Sequence, residues 1–391
     1  MRTYATLLIV LCTLLAGVAP AGAVSAPGAA TAADAGAADH TLQPDVPECS
    51  YPFTATDATG ENVTVEEAPE TVTTLGASAS QTMWDIGGKE QVVGLGTHSY
   101  YLADAESRTN VSAAGFGYST EAVVGTEADL VLASNIVSDD TVAALRDAGM
   151  TVYKFRPATS VEDVANKTTL IGKLTGNCVG AAEANAWMNA NVETAGNVTA
   201  DVEQPEVLVP LGGSSLAGDG TFINAMVTTA GGTNLAADAF DSPYPYGVSD
   251  ETILELDPEM LVLQEGSESL INQQPYAATT AGQNNASVVV NPNWLSQPAP
   301  RSVVFATRNL TDGFHPDAAA NTEWTARSEV TVDVETATPT EAVTETPTPE
   351  STATPESTET TETTSTDSPG FGGPAAVAAL GAGAALLARR D

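Results

Sequence analysis

Two stretches of the chain repeat one pattern of apolar and polar positions, about 130 residues apart. Each has an aromatic residue and glycine, a serine that can cap a helix, a glutamate two positions later and then an apolar run, at 116–132 and 246–262. This pattern predicts a short helix followed by a buried strand. Upstream of each copy, at 72–78 and 208–214, an apolar strand ends in a Gly/Ser turn. Repetition at this domain-sized spacing predicts two similar α/β lobes with a ligand cleft between them.

The apolar pattern around the first copy alternates between strands and helices. A hairpin with a turn at 58–60 comes first, and the chain then predicts strands at 72–75, 92–95, 130–133 and 150–155, with helices at 78–86 and 137–148. Strands that alternate with helices favour a parallel sheet with both faces covered. The second copy belongs to a similar series, with a helix at 222–229, a strand at 287–291 and a helix at 303–310.

Residues 160–197 have no strand pattern and predict a stiff helical connection between the lobes. Ser160 and Asp163 form a capping-box signal, residues 175–177 break the pattern, and a longer helix follows from 179 to 192. The predicted fold class is α/β: two Rossmann-like lobes with mainly parallel sheets, joined by one long rigid helix, with the ligand cleft between the lobes.

The two ends of the chain differ from the lobes in composition. Arg2 precedes an apolar segment at 4–18 and a small-residue stretch, as in a secretory signal peptide, and a segment rich in Thr, Glu and Pro from about 330 to 367 has too few apolar residues to fold. We predict a signal peptide (1–26), a flexible leader (27–50), an N-terminal lobe (51–158), a connector (159–200), a C-terminal lobe (201–326), a stalk (327–368) and a sorting segment (369–391). That last apolar segment is shorter than the ~18 residues expected of a membrane span.

Charge narrows the possible partners and the environment. The formal net charge is −37 and the chain has only four lysines, so nucleic-acid binding is excluded. The acids are spread along the chain, and concentrated salt would screen their mutual repulsion, so we expect the source to be a halophilic archaeon. Six glycosylation sequons fit an exported glycoprotein, at Asn62, Asn110, Asn166, Asn197, Asn285 and Asn309. Cys49 and Cys178 either form a disulfide or remain two free buried thiols.

An ordered series of short motifs resembles the substrate-binding proteins of ABC importers for cobalamin, ferric siderophores and haem. The series covers about residues 54–317 and includes Leu75-Gly76-Ala77-Ser78, Ile171-Gly172-x-Leu174-Thr175-Gly176, Gly220-Thr221-Phe222-Ile223, Ala230-Gly231-Gly232-Thr233-Asn234 and Leu256-Asp257-Pro258. The resemblance implies an extracytoplasmic protein, a monomer, that captures a metal chelate and delivers it to an ABC permease and its ATPase. Pro369-Gly370-Phe371 resembles an archaeal sorting signal that implies a lipid anchor on the outer face of the membrane.

Glu121 and Glu251 occupy matching positions in the two copies of the repeat. The family resemblance implies that acids at these positions contact arginines of the permease. Two carboxylates on a two-fold repeated scaffold suit a two-fold symmetric partner, since charge-assisted pairs with Arg fix the register. The alternative is that each acid only stabilises the first turn of its own helix through the helix dipole.

Turn residues at the predicted strand ends are the candidates for ligand contact. Aromatic rings can stack on a macrocycle, and hydroxyl groups can bond its polar rim. The candidates are Ser78, Ala79, Thr97, His98, Tyr100, Phe116, Tyr118, Ser134, Asn135, Ser214, Ser215, Tyr244, Tyr246, Gln264 and Trp294. Phe116 and Trp294 are as well explained as core residues, and His98 as a solvated loop residue.

The sequence carries no motif that would make the chain an enzyme. It lacks a Gly-x-Ser-x-Gly elbow, a paired-His helix and a phosphate-binding loop, and no cluster has the spacing of metal ligands. We therefore expect neither a catalytic residue nor a resident cofactor. The competing interpretation is an adhesive or structural surface protein with a duplicated α/β domain, for which the stalk is the argument.

Overall fold

The N-terminal lobe is built on a five-stranded parallel sheet. The structure is a computed structural model that describes residues 49–113 and 117–332; the predicted signal peptide, most of the leader, Phe116, most of the stalk and the sorting segment lie outside them. The strands are β1 (Phe53–Thr56) and β2 (Asn62–Val65), which form an antiparallel hairpin, then β3 (Val72–Leu75), β4 (Val92–Leu95), β5 (Thr109–Asn110), β6 (Leu130–Ala133) and β7 (Val152–Lys154). The sheet order is β5-β4-β3-β6-β7.

Helices cover both faces of this sheet, so its central strands β3 and β6 are buried on both sides. The helices are α1 (Ala77–Asp85), α2 (Thr120–Val124) and α3 (Asp139–Asp147). α1 and the connector cover one face, and α2 and α3 cover the other. The predicted helices at 78–86 and 137–148 are confirmed, with ends that differ by one or two residues.

The connector is a pair of helices, α4 (Val161–Thr175) and α5 (Cys178–Thr199). The predicted capping box of Ser160 and Asp163 begins α4, and Gly176 ends it in the left-handed conformation (φ 78°). Both helices contribute to the cores of both lobes: Ile171 and Ala184 lie in the N-terminal cluster, and Val164 and Met188 in the C-terminal cluster. The crossing predicted as one long helix is therefore made by α5 together with α4.

The C-terminal lobe is built on a four-stranded parallel sheet, in the order β11-β8-β12-β13. Its strands are β8 (Glu206–Leu208), β9 (Pro210–Gly212), β10 (Ser215–Leu216), β11 (Thr233–Asn234), β12 (Met260–Gln264) and β13 (Ser287–Val290). Its helices are α6 (Phe222–Thr229), α7 (Leu235–Ala239), α8 (Asp250–Leu256), α9 (Thr280–Asn284), α10 (Pro292–Ser296), α11 (Pro300–Phe314) and α12 (Pro316–Ala319). α5, α6 and α11 cover one face of the sheet, and α7, α8 and α9 cover the other.

The two sheets repeat one strand order. The order β4-β3-β6-β7 in the N-terminal sheet corresponds to β11-β8-β12-β13 in the C-terminal sheet. The N-terminal sheet has one more strand, β5, beside β4. The α/β architecture with two parallel sheets is thus confirmed. One detail of the repeat differs from the prediction: the strand that leads to the Gly/Ser turn of residues 208–214 is not continuous. The strand is interrupted at Val209, between β8 and β9, and residues 212–215 form the turn of the β9–β10 hairpin.

The segment after α12 packs back on the connector. Trp187 Nε1 donates to the Thr325 carbonyl (2.9 Å), Arg327 pairs with Glu183 (2.9 Å), and Val330 is buried in the C-terminal cluster. The predicted start of the stalk at 327 is therefore too early, because residues 327–332 are packed against the lobe. Within the described part of the chain, no helix has the length and apolarity needed to cross a bilayer.

A disulfide joins Cys49 to Cys178, with Cα atoms 5.8 Å apart. Of the two possibilities left open by the sequence, the structure has the paired form. The bond fastens the residue that precedes the β1–β2 hairpin to the first turn of α5, so the last residues of the predicted leader are held at the connector.

We predict that replacing both cysteines with alanine lowers the free energy of unfolding by about 3–5 kcal/mol. The bond closes a loop of 129 residues, and a long closed loop restricts the unfolded chain strongly. Chemical denaturation at constant salt measures the change. The wild type in reductant should match the variant; equal stability of the oxidised wild type and the variant would contradict the prediction.

Candidate functional site

The carboxyl ends of the N-terminal strands bring several predicted ligand residues together. Leu75 of β3 pairs with Ala133 of β6, so the residues that follow these strands are neighbours. Gly76, which follows β3, lies close to Ser134, which follows β6. A Cβ on Gly76 would lie 2.6 Å from Ser134 Oγ, so only glycine allows this close approach. Parallel α/β sheets bind ligands outside this edge of the strands.

Ser134 is the best placed polar group on this edge. Its Oγ is buried and has no hydrogen-bond partner among the described residues. A buried hydroxyl without a partner is costly unless a ligand or water satisfies it. Asn135 beside it is exposed, and the next residue, Ile136, has 71% of its surface exposed. Together these residues present a polar group and an apolar side chain at the end of β6.

The residues after β4 divide into exposed and packed side chains. Thr97 and His98 are exposed on a short 3₁₀ turn, and the Thr97 amide donates to Ser112 Oγ (2.9 Å). Tyr100 packs on the core beside α1, and Tyr118 packs against Gly96, where burial raises the pKa of the phenol. The two tyrosines therefore act first as packing residues, whereas Thr97 and His98 face solvent.

The C-terminal lobe places a second group of candidates around the β9–β10 turn. Ser214 is exposed in the left-handed conformation (φ 60°), and Ser215 is half-buried. Both line a small cavity of about 160 Å³. Tyr244 and Tyr246 are exposed by 54% and 82%, and a Cβ on Gly213 would lie 3.9 Å from the Tyr246 ring. Exposed aromatic rings beside a hydroxyl-bearing turn suit a ligand with a flat apolar face.

Three predicted contacts are placed less favourably. Ala79 is buried in the N-terminal core and has no surface for a ligand, so its prediction is wrong. Trp294 packs against Phe305, with ring centroids 5.0 Å apart, which favours the core interpretation. Gln264 is half-buried at the end of β12.

Lys167 of the connector contacts both lobes. It lies on the buried face of α4, and its Nζ donates to Ser78 Oγ (3.1 Å) and to the Pro298 carbonyl. Ser78 lies in the first turn of α1 and Pro298 precedes α11, so one amine contacts both lobes. Burial lowers the pKa of Lys167 to about 7.

Polar contacts between α1 and α11 continue this junction. Gln81 Nε2 donates to Ser302 Oγ (2.8 Å), and the Tyr101 hydroxyl donates to Gln81 Oε1 (2.8 Å). One turn further along α1, Asp85 pairs with Arg301 (2.6 Å). Burial raises the pKa of Asp85 to about 6, and the Arg301 charge opposes that rise. The lobes are therefore held together by a line of directed bonds, which favours small opening motions.

Sequence reasoning missed this junction. Lys167 had one available signal, since it falls on the apolar face that Val164, Ile171 and Leu174 define in a chain with four lysines. Gln81 and Arg301 carried no comparable signal, because their partners lie more than 200 positions away.

Glu121 and Glu251 have the same local geometry. Ser119 caps α2 by accepting from the Ala122 amide (3.2 Å), and Ser249 caps α8 by accepting from the Thr252 amide (3.1 Å). Each glutamate is therefore the second residue of its helix, and each is exposed. Neither forms an ion pair within residues 49–113 and 117–332.

Comparison with known proteins identifies the family. A family profile described as periplasmic binding protein matches residues 72–299, which is more than half of the chain. The chain belongs to the periplasmic binding protein family. It is 39% identical over 324 residues to a protein of Halobacterium salinarum named cobalamin-binding protein, covering 80% of this chain and 84% of the relative. It is 25% identical to the ABC transporter substrate-binding lipoprotein YvrC of Bacillus subtilis, covering 68% of this chain and 87% of YvrC.

Solved structures of this binding-protein fold agree with the two-lobe architecture. The periplasmic heme-binding protein RhuT of Roseiflexus matches with a TM-score of 0.57 at 22% identity, covering 63% of this chain and 99% of RhuT. CeuE of Helicobacter pylori matches with a TM-score of 0.61 at 16% identity, covering 68% of this chain and 90% of CeuE. At these identities the likeness shows the fold.

Membership of the family confirms the main functional prediction. The chain is an extracytoplasmic substrate-binding protein of ABC import and works with a permease; its family is one of binding proteins and not of enzymes. The adhesive interpretation receives no support from these comparisons.

We predict that Lys167→Met flattens the pH dependence of stability above neutral pH. Burial lowers the pKa of Lys167 from its ordinary value of 10.5 to about 7 in the folded chain. Between these values the unfolded chain binds one proton more, so this residue makes stability rise with pH, by at most about 1.4 kcal/mol per pH unit. Urea denaturation at pH 7, 8 and 9 in constant salt measures the slope.

Lys173→Met is the matched control, because it removes a partly exposed lysine from the same helix. This control should keep the wild-type slope. If Lys167→Met kept it as well, Lys167 would not be the buried titrating group.

Proposed function

We propose that this protein captures a cobalamin-type corrinoid outside the cell membrane and delivers it to an ABC permease. The observation that carries the proposal is the 39% identity, over 80% of the chain, with the Halobacterium cobalamin-binding protein. Identity at that level over both lobes favours a shared ligand class over a merely shared fold. Haem and ferric siderophores are the ligands that the test below must separate from it.

The side chains exposed at the candidate ligand positions of the two lobes suit a large ligand with a flat face and a polar rim. Tyr244 and Tyr246 offer aromatic rings on one lobe, and Ile136 offers an exposed apolar side chain on the other. Ser134 and Asn135 supply polar groups beside it. A corrin ring has a flat apolar face and a rim of amide groups, so both kinds of side chain have a partner on it.

Glu121 and Glu251 are proposed as the permease contacts. Their equivalent helix positions, their exposure and their lack of ion pairs within the described residues leave both carboxylates available for arginines of a two-fold symmetric partner. The protein is further proposed to act as a monomer, tethered to the outer face of the membrane through its C-terminal segment.

We predict that cyanocobalamin binds the full chain with a stoichiometry of one and that Tyr246→Ala weakens this binding about tenfold. The change removes one stacking ring from a side chain that is 82% exposed, so it should leave the fold intact. Isothermal titration calorimetry in high salt measures both quantities. Leu254→Ala removes an exposed apolar side chain of α8 and should change nothing. Tight binding of haemin or a ferric siderophore, with none of cyanocobalamin, would reject the proposed ligand.

We predict that Glu121→Arg combined with Glu251→Arg abolishes uptake but keeps ligand affinity. The reversed charges would repel the permease arginines while the cleft stays unchanged. Uptake of labelled cobalamin by cells that carry the variant measures the effect. Glu127→Arg combined with Glu255→Arg makes the same change of charge at exposed acids near the other ends of α2 and α8, and should transport normally. Normal uptake by the first pair would leave only the helix-dipole role for Glu121 and Glu251.

A further inference from the structure

A cavity of about 400 Å³ lies where α1, α5 and α11 meet the segment after α12. None of the residues proposed for the cleft lines it. Its walls come from both lobes and from the connector: Trp84 belongs to α1, Trp187 to α5, Arg301, Phe305 and Arg308 to α11, and Arg327 to the returning segment. An occupant of this cavity would therefore touch both lobes at their junction.

Two residue types that are rare in this chain concentrate around the cavity. The chain has four tryptophans. Trp84 and Trp187 line the cavity, Trp294 packs on its Phe305 wall at 5.0 Å, and Trp324 lies 5.8 Å from the Arg308 guanidinium. Three of the six arginines among the described residues also line it. Aromatic rings pack against apolar ligand surfaces, and guanidinium groups bind anions. Core packing alone would need the rings but not the guanidinium groups.

Of the three arginines, Arg308 keeps its donors for an incoming anion, whereas Arg301 and Arg327 already have partners. Arg301 pairs with Asp85 (2.6 Å), whose carboxylate also lines the cavity but is only 3% exposed, so this acid is already neutralised by Arg301. Arg327 uses Nη2 for Glu183 and Nη1 for the Val330 carbonyl. Arg308 is exposed and forms neither a hydrogen bond nor an ion pair within residues 49–113 and 117–332; the nearby Asp312 carboxylate acts on it only through space.

We propose that this cavity binds a small aromatic anion, such as an aromatic carboxylate or sulfonate. The ring lies among Trp84, Trp187 and Phe305, and the anionic group bonds Arg308, with Arg301 and Arg327 adding positive charge. A guanidinium binds a carboxylate or sulfonate through paired, charge-assisted hydrogen bonds. An inorganic anion would make no use of the three rings, and a neutral aromatic would make no use of the three arginines.

The test uses the fluorescent aromatic sulfonate 1-anilinonaphthalene-8-sulfonate and the full chain in high salt. Energy transfer from tryptophan to the probe reports binding, because all four tryptophans lie in or beside the cavity. We expect one saturable site that excess cyanocobalamin does not displace. Arg308→Gln should weaken probe binding about tenfold, and Arg308→Lys should weaken it less, since the charge remains without the paired donors. Arg156→Gln, which removes an exposed arginine outside the cavity, should have no effect.

Four results would overturn the proposal. They are the absence of saturable binding, equal binding by Arg308→Gln and Arg156→Gln, displacement of the probe by cyanocobalamin, and equally tight binding of the neutral probe N-phenyl-1-naphthylamine. Circular dichroism of each variant identifies a loss of binding that comes from unfolding. In that event Trp84→Leu, which shortens one wall without removing a charge, replaces the arginine variants and should also weaken probe binding.

Discussion

The apolar packing of the α4–α5 pair into both lobes is the constraint on which the rest of the structure depends. Each helix has one end in the core of the N-terminal lobe and the other in the core of the C-terminal lobe. Close approach of the pair requires small residues: a Cβ on Gly172 would lie 2.6 Å from the Ala181 Cβ. Apolar burial fixes the position of this helix pair and, through it, the relative position of the two lobes. The positions of the cleft and of the arginine-lined cavity therefore depend on the packing of α4 and α5.

Polar bonds at the lobe junction add direction to that apolar packing. Lys167, Gln81 and Arg301 each contact the opposite lobe or a loop that leads into it. In a chain of net charge −37, positive side chains are scarce, and two of them are used where the lobes meet. A buried amine and a buried carboxylate are costly to desolvate, so such groups are better suited to fixing one arrangement than to raising stability.

Local patterns were sufficient to predict the central strands and the main helices but not the contacts between them. Ser119, Ser160 and Ser249 predicted helix starts correctly, since a cap depends on residues three positions away. The apolar runs predicted the central strands for the same local reason. Ala79 was misassigned because its position in α1 turns it into the core, and the cavity went unnoticed because Trp84, Trp187 and Arg308 come together only through the packing of three helices. The family resemblance supplied the roles proposed for Glu121 and Glu251, which no local pattern could.

The edges of the two sheets carry a last consequence. Three of the four edge strands are very short: β5 and β11 have two residues each and β7 has three, whereas the fourth, β13, has four. Strands this short offer few unpaired amides and carbonyls to a neighbouring molecule, so they resist the edge-to-edge pairing that seeds aggregation. For an extracytoplasmic protein, short edge strands therefore limit aggregation without any additional residues.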